Sequence, residues 1–346
     1  MKDPVAPTQN RTQYTGEHCD AHHPVLAAID LGTNSCRLLI ASVNVAGLKK
    51  TFFRRRSDSG SWKVIDSFAR IVRLGEGLHK TGELSEEAIN RSIEALKICR
   101  DKIDFNHATR VRAVATEACR RAVNGHVLIE RARHELGLEI EIINSGEEAR
   151  LALTGCAAVL NPKTPYAVVF DIGGGSTEFI IANKNEIFWK QSFLLGAARL
   201  LELFPPSDPI TETEIDVFKN HLNKELQPLF DAVKKFPITE LLGSSGSFDS
   251  LAEMITHRFY SPSVLEGKTE YTFKLEDCET IYNDILKSTN AERLQIKGLV
   301  AMRVDMIVVS SIIVHFVISS LEIQKMRLST YSLKEGVICE VLNGKL

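Results

Sequence analysis

No two cysteines in this chain stand in a CxxC spacing. The seven present (Cys19, Cys36, Cys99, Cys119, Cys156, Cys278, Cys339) are scattered and odd in number. That excludes a disulfide-stapled scaffold and reads as free thiols in a reducing compartment. A surplus of one charge is also missing. The 42 Lys and Arg against 44 Asp and Glu leave −2, which gives no basic footprint for duplex nucleic acid. Any anionic ligand must therefore be held by a local cluster. The opening residues, 1–24, lack the apolar core of a secretory signal and read as a polar tail. There is no clean membrane span. The most apolar stretch, Met306 to Leu321, contains His315 and closely follows Arg303 and Asp305. It falls short of the roughly 20 apolar residues a span needs, so it reads as a buried central helix. A cytoplasmic protein with no membrane partner is expected. Neither GxxxxGK[ST] nor a GxGxxG opening a helix occurs, which excludes the usual nucleotide loops.

What is present is a duplication. "AIDLGTNSCRLLIA" (residues 28–41) and "VFDIGGGSTEFIIA" (residues 169–182) align without a gap. Each runs from an apolar strand to an Asp, through a glycine turn, to a Ser and a second apolar strand. Each reads as a hairpin. After each, strands and helices alternate, so the fold expected is α/β, a duplicated domain around a cleft.

The local signals are specific. Trp62 to Arg73 reads as a strand, and Lys49 to Arg56 as another. Ser85 caps a helix with Ile89, Ile93, Leu96, Cys99 and Ile103 on one face. "ATEACRRAVNG" reads as a turn at Thr116 and a helix closed by Gly125. "EIINSGEEARLALTG" reads as strand, loop and helix. "LLGAARLLELF" and the stretch from Thr211 to about Phe230 read as helices, and "LLGSSGSFDSLAEMI" as strand, loop and helix. A short strand near Arg327–Ser329 and a helix from Leu333 close the chain.

The turns suggest phosphate chemistry. Gly173, Gly174 and Gly175 leave room for successive N–H groups to converge on an anion. Ser176 and Thr177 add hydroxyls. Asp171, just before the turn, can hold a divalent cation or a water. Asp30, Gly32, Thr33, Asn34 and Ser35 form a second cradle of the same make. Arg120 offers a planar guanidinium to phosphate, with Arg37 and the Arg54–Arg56 run as weaker candidates. Glu147 and Glu148 suit the first turn of a helix, which already explains them. His18, Cys19, Asp20, His22 and His23 resemble a metal cluster but lie in the tail with no scaffold.

Together the ordered motifs "AAIDLGTNSCRLLIA", "ATEACRRAVNG", "EIINSGEEARLALTG", "VFDIGGGSTEFII", "LLGAARLLELF", "GSSGS" and "LSTYSLKEGVI" resemble the exopolyphosphatase / guanosine pentaphosphate phosphohydrolase family. This family lies within the actin, heat-shock chaperone and sugar-kinase superfamily. The resemblance implies two ribonuclease-H-like domains facing a cleft. They are expected at 25–145 with about 328–346, and at 146–327. It implies that Glu148 activates the attacking water and that Arg120 binds phosphate. It implies that Asp171 and Glu178, with Asp30, organise Mg²⁺ and water. Inorganic polyphosphate is the expected substrate, with guanosine pentaphosphate as the alternative. A superfamily kinase or ATPase and a non-catalytic alarmone sensor are the rival classes. A homodimer is expected by resemblance alone. Three departures stand out: Ser-Gly falls one position nearer the acids in "SGEEAR", Lys334 replaces an Arg, and "GSSGS" replaces "GTSGT". The chain lacks the extra helical domains of long members and is read as the short form.

Overall fold

A computed structural model describes residues 24–43, 62–342 and 344. The expected strand at Lys49–Arg56 with its arginine run, and the His/Cys cluster of the tail, lie outside the described residues. Among the described residues the first sheet has five strands: β1 (Val25–Leu31), β2 (Ser35–Val43), β3 (Trp62–Ile71), β4 (Arg110–Ala115) and β5 (Ile140–Ile142), in the order β3-β2-β1-β4-β5. The first three are antiparallel, and β4 and β5 run parallel to β1. Its helices are α1 (Leu78–Thr81), α2 (Glu86–Phe105), α3 (Glu117–Arg121), α4 (Gly125–Leu136) and α5 (Ser145–Cys156).

Local chemistry accounts for these bounds. Ser85 Oγ accepts the Ala88 N–H and starts α2, whose buried stripe includes Ile89, Ile93, Leu96, Cys99 and Ile103. The expected helix through "ACRRAVNG" breaks earlier. It ends at Arg121, Ala122 is extended, and Gly125 opens α4. A Cβ on Gly125 would lie 2.2 Å from the Cys119 carbonyl oxygen, so this glycine permits the tight α3–α4 junction.

The second sheet repeats the plan. It comprises β6 (Ala167–Ile172), β7 (Thr177–Ala182), β8 (Ile187–Phe193), β9 (Glu240–Ser244), β10 (Glu270–Phe273) and β11 (Lys325–Ser329), ordered β10-β11-β9-β6-β7-β8. Three antiparallel strands again pass to two parallel ones, with β10 added at the edge. The shared 3-2-1-4-5 order makes the fold a duplicated ribonuclease-H-like one. Sequence periodicity passed over β8 and β10, which are only partly buried edge strands. Its helices are α6 (Ala197–Leu203), α7 (Glu212–Glu225), α8 (Gln227–Lys235), α9 (Gly246–Phe259), α10 (Leu275–Lys287), α11 (Asn290–Arg293) and α12 (Val304–Ser320). The single helix expected from Thr211 is two, divided at Leu226. Pro228 cannot donate within the helix and crowds the preceding turn.

The helical stretch Ala301–Ser320, which ends in α12, is long and apolar enough to cross a membrane by length and composition. Here it is the axis of the second core. Val304, Ile307, Val308, Val309, Ile312, Ile313 and Val317 are buried, and α6, α7, α9 and α10 pack around it. Burying each such side chain contributes about 1.5–3 kcal/mol, which explains an apolar helix without a bilayer.

The last helix, α13 (Leu333–Leu342), leaves the second sheet and packs on the first, against β1, β2 and β4. It also crosses α5 very closely. A Cβ on Gly155 would lie 2.0 Å from the Ser332 carbonyl oxygen, and one on Gly336 1.9 Å from that of Leu151. Helix α5 also touches β6, β7 and β8, so it lies between the two sheets, where its first turn faces both hairpins.

Candidate active site

Both hairpin turns open onto one cavity of about 110 Å³ between the sheets. Its wall includes Asp30, Gly32, Thr33, Asn34 and Ser35 from the first hairpin, and Asp171, Gly173, Gly174, Gly175, Ser176 and Glu178 from the second. Glu148 reaches it from the first turn of α5. Arg120 stands immediately behind, its Nη1 donating to Glu148 Oε2 at 3.0 Å and to the Ile143 carbonyl at 2.8 Å. Thr177 is the exception among the expected phosphate ligands. It is fully buried, and its hydroxyl donates to the Leu195 carbonyl at 2.9 Å, away from the cavity.

The glycines act differently from expectation. The N–H groups of Gly32 and Gly173 close their own turns, onto Ser35 O at 2.9 Å and Ser176 O at 3.0 Å. Gly174 and Gly175 make room for the opposite hairpin. A Cβ on Gly174 would lie 2.8 Å from Asn34 Cβ. One on Gly175 would lie 2.0 Å from Glu117 Oε2 and 2.5 Å from Thr33 Oγ1. The N–H groups of Thr33, Asn34, Gly174 and Gly175 have no protein acceptor among the described residues, which leaves them available to an anion.

Register explains the acids. In the first hairpin Asp30 lies opposite Arg37. In the second, Asp171 lies opposite Glu178, two carboxylates directly across one strand pair. Both are buried, an arrangement that is unfavourable without a counter-charge. Burial pushes the Glu178 carboxyl well above its ordinary range, and the Glu148 and Asp171 charges push it further. Ser192 Oγ donates to it at 2.7 Å. Asp30 is also raised, by burial first, against the lowering effect of Arg37.

The adjacent glutamates divide sharply. Asn144 caps α5 by accepting the Glu147 N–H at 2.9 Å. Glu147 turns outward to Arg150 at 2.7 Å and Arg112 at 3.5 Å, and the Arg150 hydrogen bond holds its carboxyl below the usual range. Glu148 turns inward. Burial raises its carboxyl to about 7, Arg120 opposes that, and Asp30 and Asp171 add to it. A group poised there suits proton transfer near neutrality.

The sequence reading left out part of the wall. Arg303, Ser245 and Ser247 line the cavity, and Arg303 lies against the bare backbone of Gly246. Burial lowers the Arg303 guanidinium to about 10, with the Arg37 charge adding to this. Asp249 is raised to about 6, mainly by burial, against Lys334, Arg303 and Arg37. Ser245 holds φ 67° and ψ 176°, a conformation that costs a non-glycine residue about 1–3 kcal/mol. The glycine of "GSSGS" was the only local signal for this wall.

Among the described residues no three His, Cys, Asp or Glu side chains converge as a closed metal site. Asp30, Asp171 and Glu178 nonetheless concentrate buried negative charge and hard oxygen donors on one cavity. That fits an ion of the Mg²⁺ kind, which takes one or two carboxylates and completes its shell with substrate and water.

Comparison with known proteins agrees with this geometry. The Ppx/GppA phosphatase family profile matches residues 55–344. "Exopolyphosphatase 2" of Mycobacterium tuberculosis is 36% identical over 234 residues, 66% of this chain and 70% of that protein. The guanosine-5'-triphosphate,3'-diphosphate pyrophosphatase of Photobacterium profundum is 28% identical over 92% of this chain and 60% of its own length. The crystal structure of an exopolyphosphatase from Cytophaga hutchinsonii superposes with a TM-score of 0.83 at 35% identity, covering 92% of this chain and 98% of that one. An Aquifex aeolicus Ppx/GppA family member superposes at 0.74 and 30%, covering 94% and 99%. With a duplicated hairpin cavity, a glutamate poised at its wall and these relatives, the chain belongs to the Ppx/GppA phosphatase family.

Proposed function

We propose that this chain is an exopolyphosphatase, releasing orthophosphate from the end of inorganic polyphosphate by attack of water. The observation that carries the reading is Glu148, a buried carboxylate raised to about 7 on the wall shared by both hairpins. Glu148 orients the attacking water and takes its proton. The free N–H groups at the hairpin tips hold the oxygens of the terminal phosphoryl group. An incoming phosphoryl group competes with Glu148 for the Arg120 guanidinium. As Arg120 turns to the phosphate, Glu148 loses its counter-charge and becomes a stronger base. Asp171, Glu178 and Asp30 are the residues to hold Mg²⁺, which when bound offsets charge on the phosphoryl oxygens. The two bodies that clamp the substrate are residues 25–145 with about 328–346, and 146–327, the return to the first falling after β11 (Lys325–Ser329), which pairs within the second sheet.

The test is Glu148→Gln assayed for phosphate release from polyphosphate. Loss of a single positioned base lowers the rate about 10²–10⁴-fold. Near-normal turnover in a folded variant removes Glu148 from the mechanism.

Guanosine pentaphosphate is the second reading, favoured by the Photobacterium relative whose match spans 92% of this chain. Both substrates end in the same phosphoanhydride, so phosphate release measured side by side separates them. The reading places the enzyme in the cytoplasm as a homodimer, which light scattering on the purified chain checks.

A further inference from the structure

Glu117 is a buried carboxylate that the chemistry above does not use. It opens α3, and its side chain is 3% exposed. The Thr116 N–H donates to the Leu31 carbonyl at 3.1 Å, which ties the start of α3 to the end of β1, directly before Gly32. From there Glu117 reaches the first hairpin tip. Its Oε2 accepts the Thr33 hydroxyl at 3.0 Å, and its Oε1 accepts Arg121 Nη1 at 3.2 Å.

Both hairpin tips converge on this carboxylate. Thr33 is held on two sides. Its hydroxyl meets Glu117, and its methyl group packs on the bare backbone of Gly75, where a Cβ would lie 2.4 Å away. From the second hairpin, Gly175 packs against the same pair, since its own Cβ would lie 2.0 Å from Glu117 Oε2 and 2.5 Å from Thr33 Oγ1. The Thr33 hydroxyl is therefore donated to Glu117, and what this tip offers an anion is its N–H groups. On charge alone, a carboxylate behind an anion cradle opposes binding, so what Glu117 supplies is geometry.

We propose that Glu117 is a positioning residue, which sets the first hairpin tip through Thr33 and fixes its spacing from Gly175 without touching substrate. The inference rests on the hydrolase reading above. The same five-residue helix presents Arg120, 3.0 Å from Glu148, so α3 aligns the cradle with the proposed base. Alignment of donors with the reacting group acts on the transition state, so its loss should fall on kcat more than on KM.

A double-mutant cycle tests the proposal, read as phosphate release from whichever of the two substrates turns over. Glu117→Ala should lower kcat at least about tenfold, the size of one hydrogen bond to a charged group, with KM within about threefold. Glu117→Gln, whose amide oxygen can still accept the Thr33 hydroxyl, should recover most of kcat. Thr33→Val, which keeps the shape and removes the donor, should lower kcat by a similar factor. The two losses should not multiply in the Glu117→Ala, Thr33→Val double variant, because Glu117 acts through Thr33. Losses that multiply, or near-normal kcat in a folded Glu117→Ala, overturn the proposal. If Glu117→Ala does not fold, Glu117→Asp, which draws the carboxylate back from Thr33, takes its place in the cycle with the same outcomes. If neither substrate releases phosphate, the hydrolase reading itself has failed. Calorimetry with inorganic phosphate then decides the role of Glu117. Binding weakened at least about tenfold in Glu117→Ala and kept in Glu117→Gln supports it. Binding unchanged in Glu117→Ala, or absent from the wild type, overturns it.

Discussion

Arg120 Nη1 lies 3.0 Å from Glu148 Oε2, joining the end of a five-residue helix in the first half to the helix that lies between the two sheets. The contact sets the charge of the group proposed as base. It also occupies the cation proposed to meet the phosphate.

The pH dependence follows from that pair. A base must be ionised, so kcat/KM should rise with pH through about 7, the value at which Glu148 titrates. Arg120 lowers that value, so Arg120→Gln should move the acid limb to higher pH as well as slow the reaction. A pH–rate profile of the two proteins shows both effects. An unmoved limb removes the coupling.

Gly175→Ala should damage the site by steric contact alone. Its Cβ meets the Glu117 carboxylate at 2.0 Å and the Thr33 hydroxyl at 2.5 Å, both already held by hydrogen bonds. Forcing one methyl group into such packing costs about 1–3 kcal/mol. Thermal melting should register that loss, and kcat/KM should fall at least about tenfold as the hairpin tips separate.

Gly336→Ala tests how α5 is held. The new methyl group meets the Leu151 carbonyl oxygen at 1.9 Å, a backbone atom that cannot rotate away. Helix α5 must move, and Glu148 with it. A melting-point drop equivalent to about 1–3 kcal/mol, with reduced turnover, is expected. The same change at Gly155, facing Gly336 across the crossing, should act alike.

Cation binding should appear in stability as well as in rate. Without a cation, native Glu148 keeps its proton up to about 7, whereas the unfolded carboxyl releases it near 4.5. Its contribution to stability is therefore fully present below the unfolded value and lost as pH rises through the folded one. Glu178 is raised in the same direction. Mg²⁺ favours the ionised carboxylates, so it should raise the melting temperature more at pH 8 than at pH 6. A chelator should abolish activity and remove that increment. Equal increments at the two pH values count against the carboxylate site.

Much of this was legible locally. The gapless duplication named both hairpins, because a turn with no room for side chains must be written in glycine where hairpins touch. Ser85 marked a helix start because a capping side chain acts on its own backbone. The division of the Thr211 helix at Leu226 and the early end of α3 were not legible. The first depends on Pro228 acting through the preceding turn, the second on packing at Gly125.

The sequence by itself determined most of the strands and helices and the two Asp-glycine turns. Each follows from neighbours within a few residues. Only the tertiary structure decided which of two adjacent glutamates is buried, since successive helical residues point in different directions and α5 has one side toward the cavity. It alone brought Arg303 to the wall. Desolvation and charge proximity are set by residues far apart in the chain, and the sequence order does not record those distances.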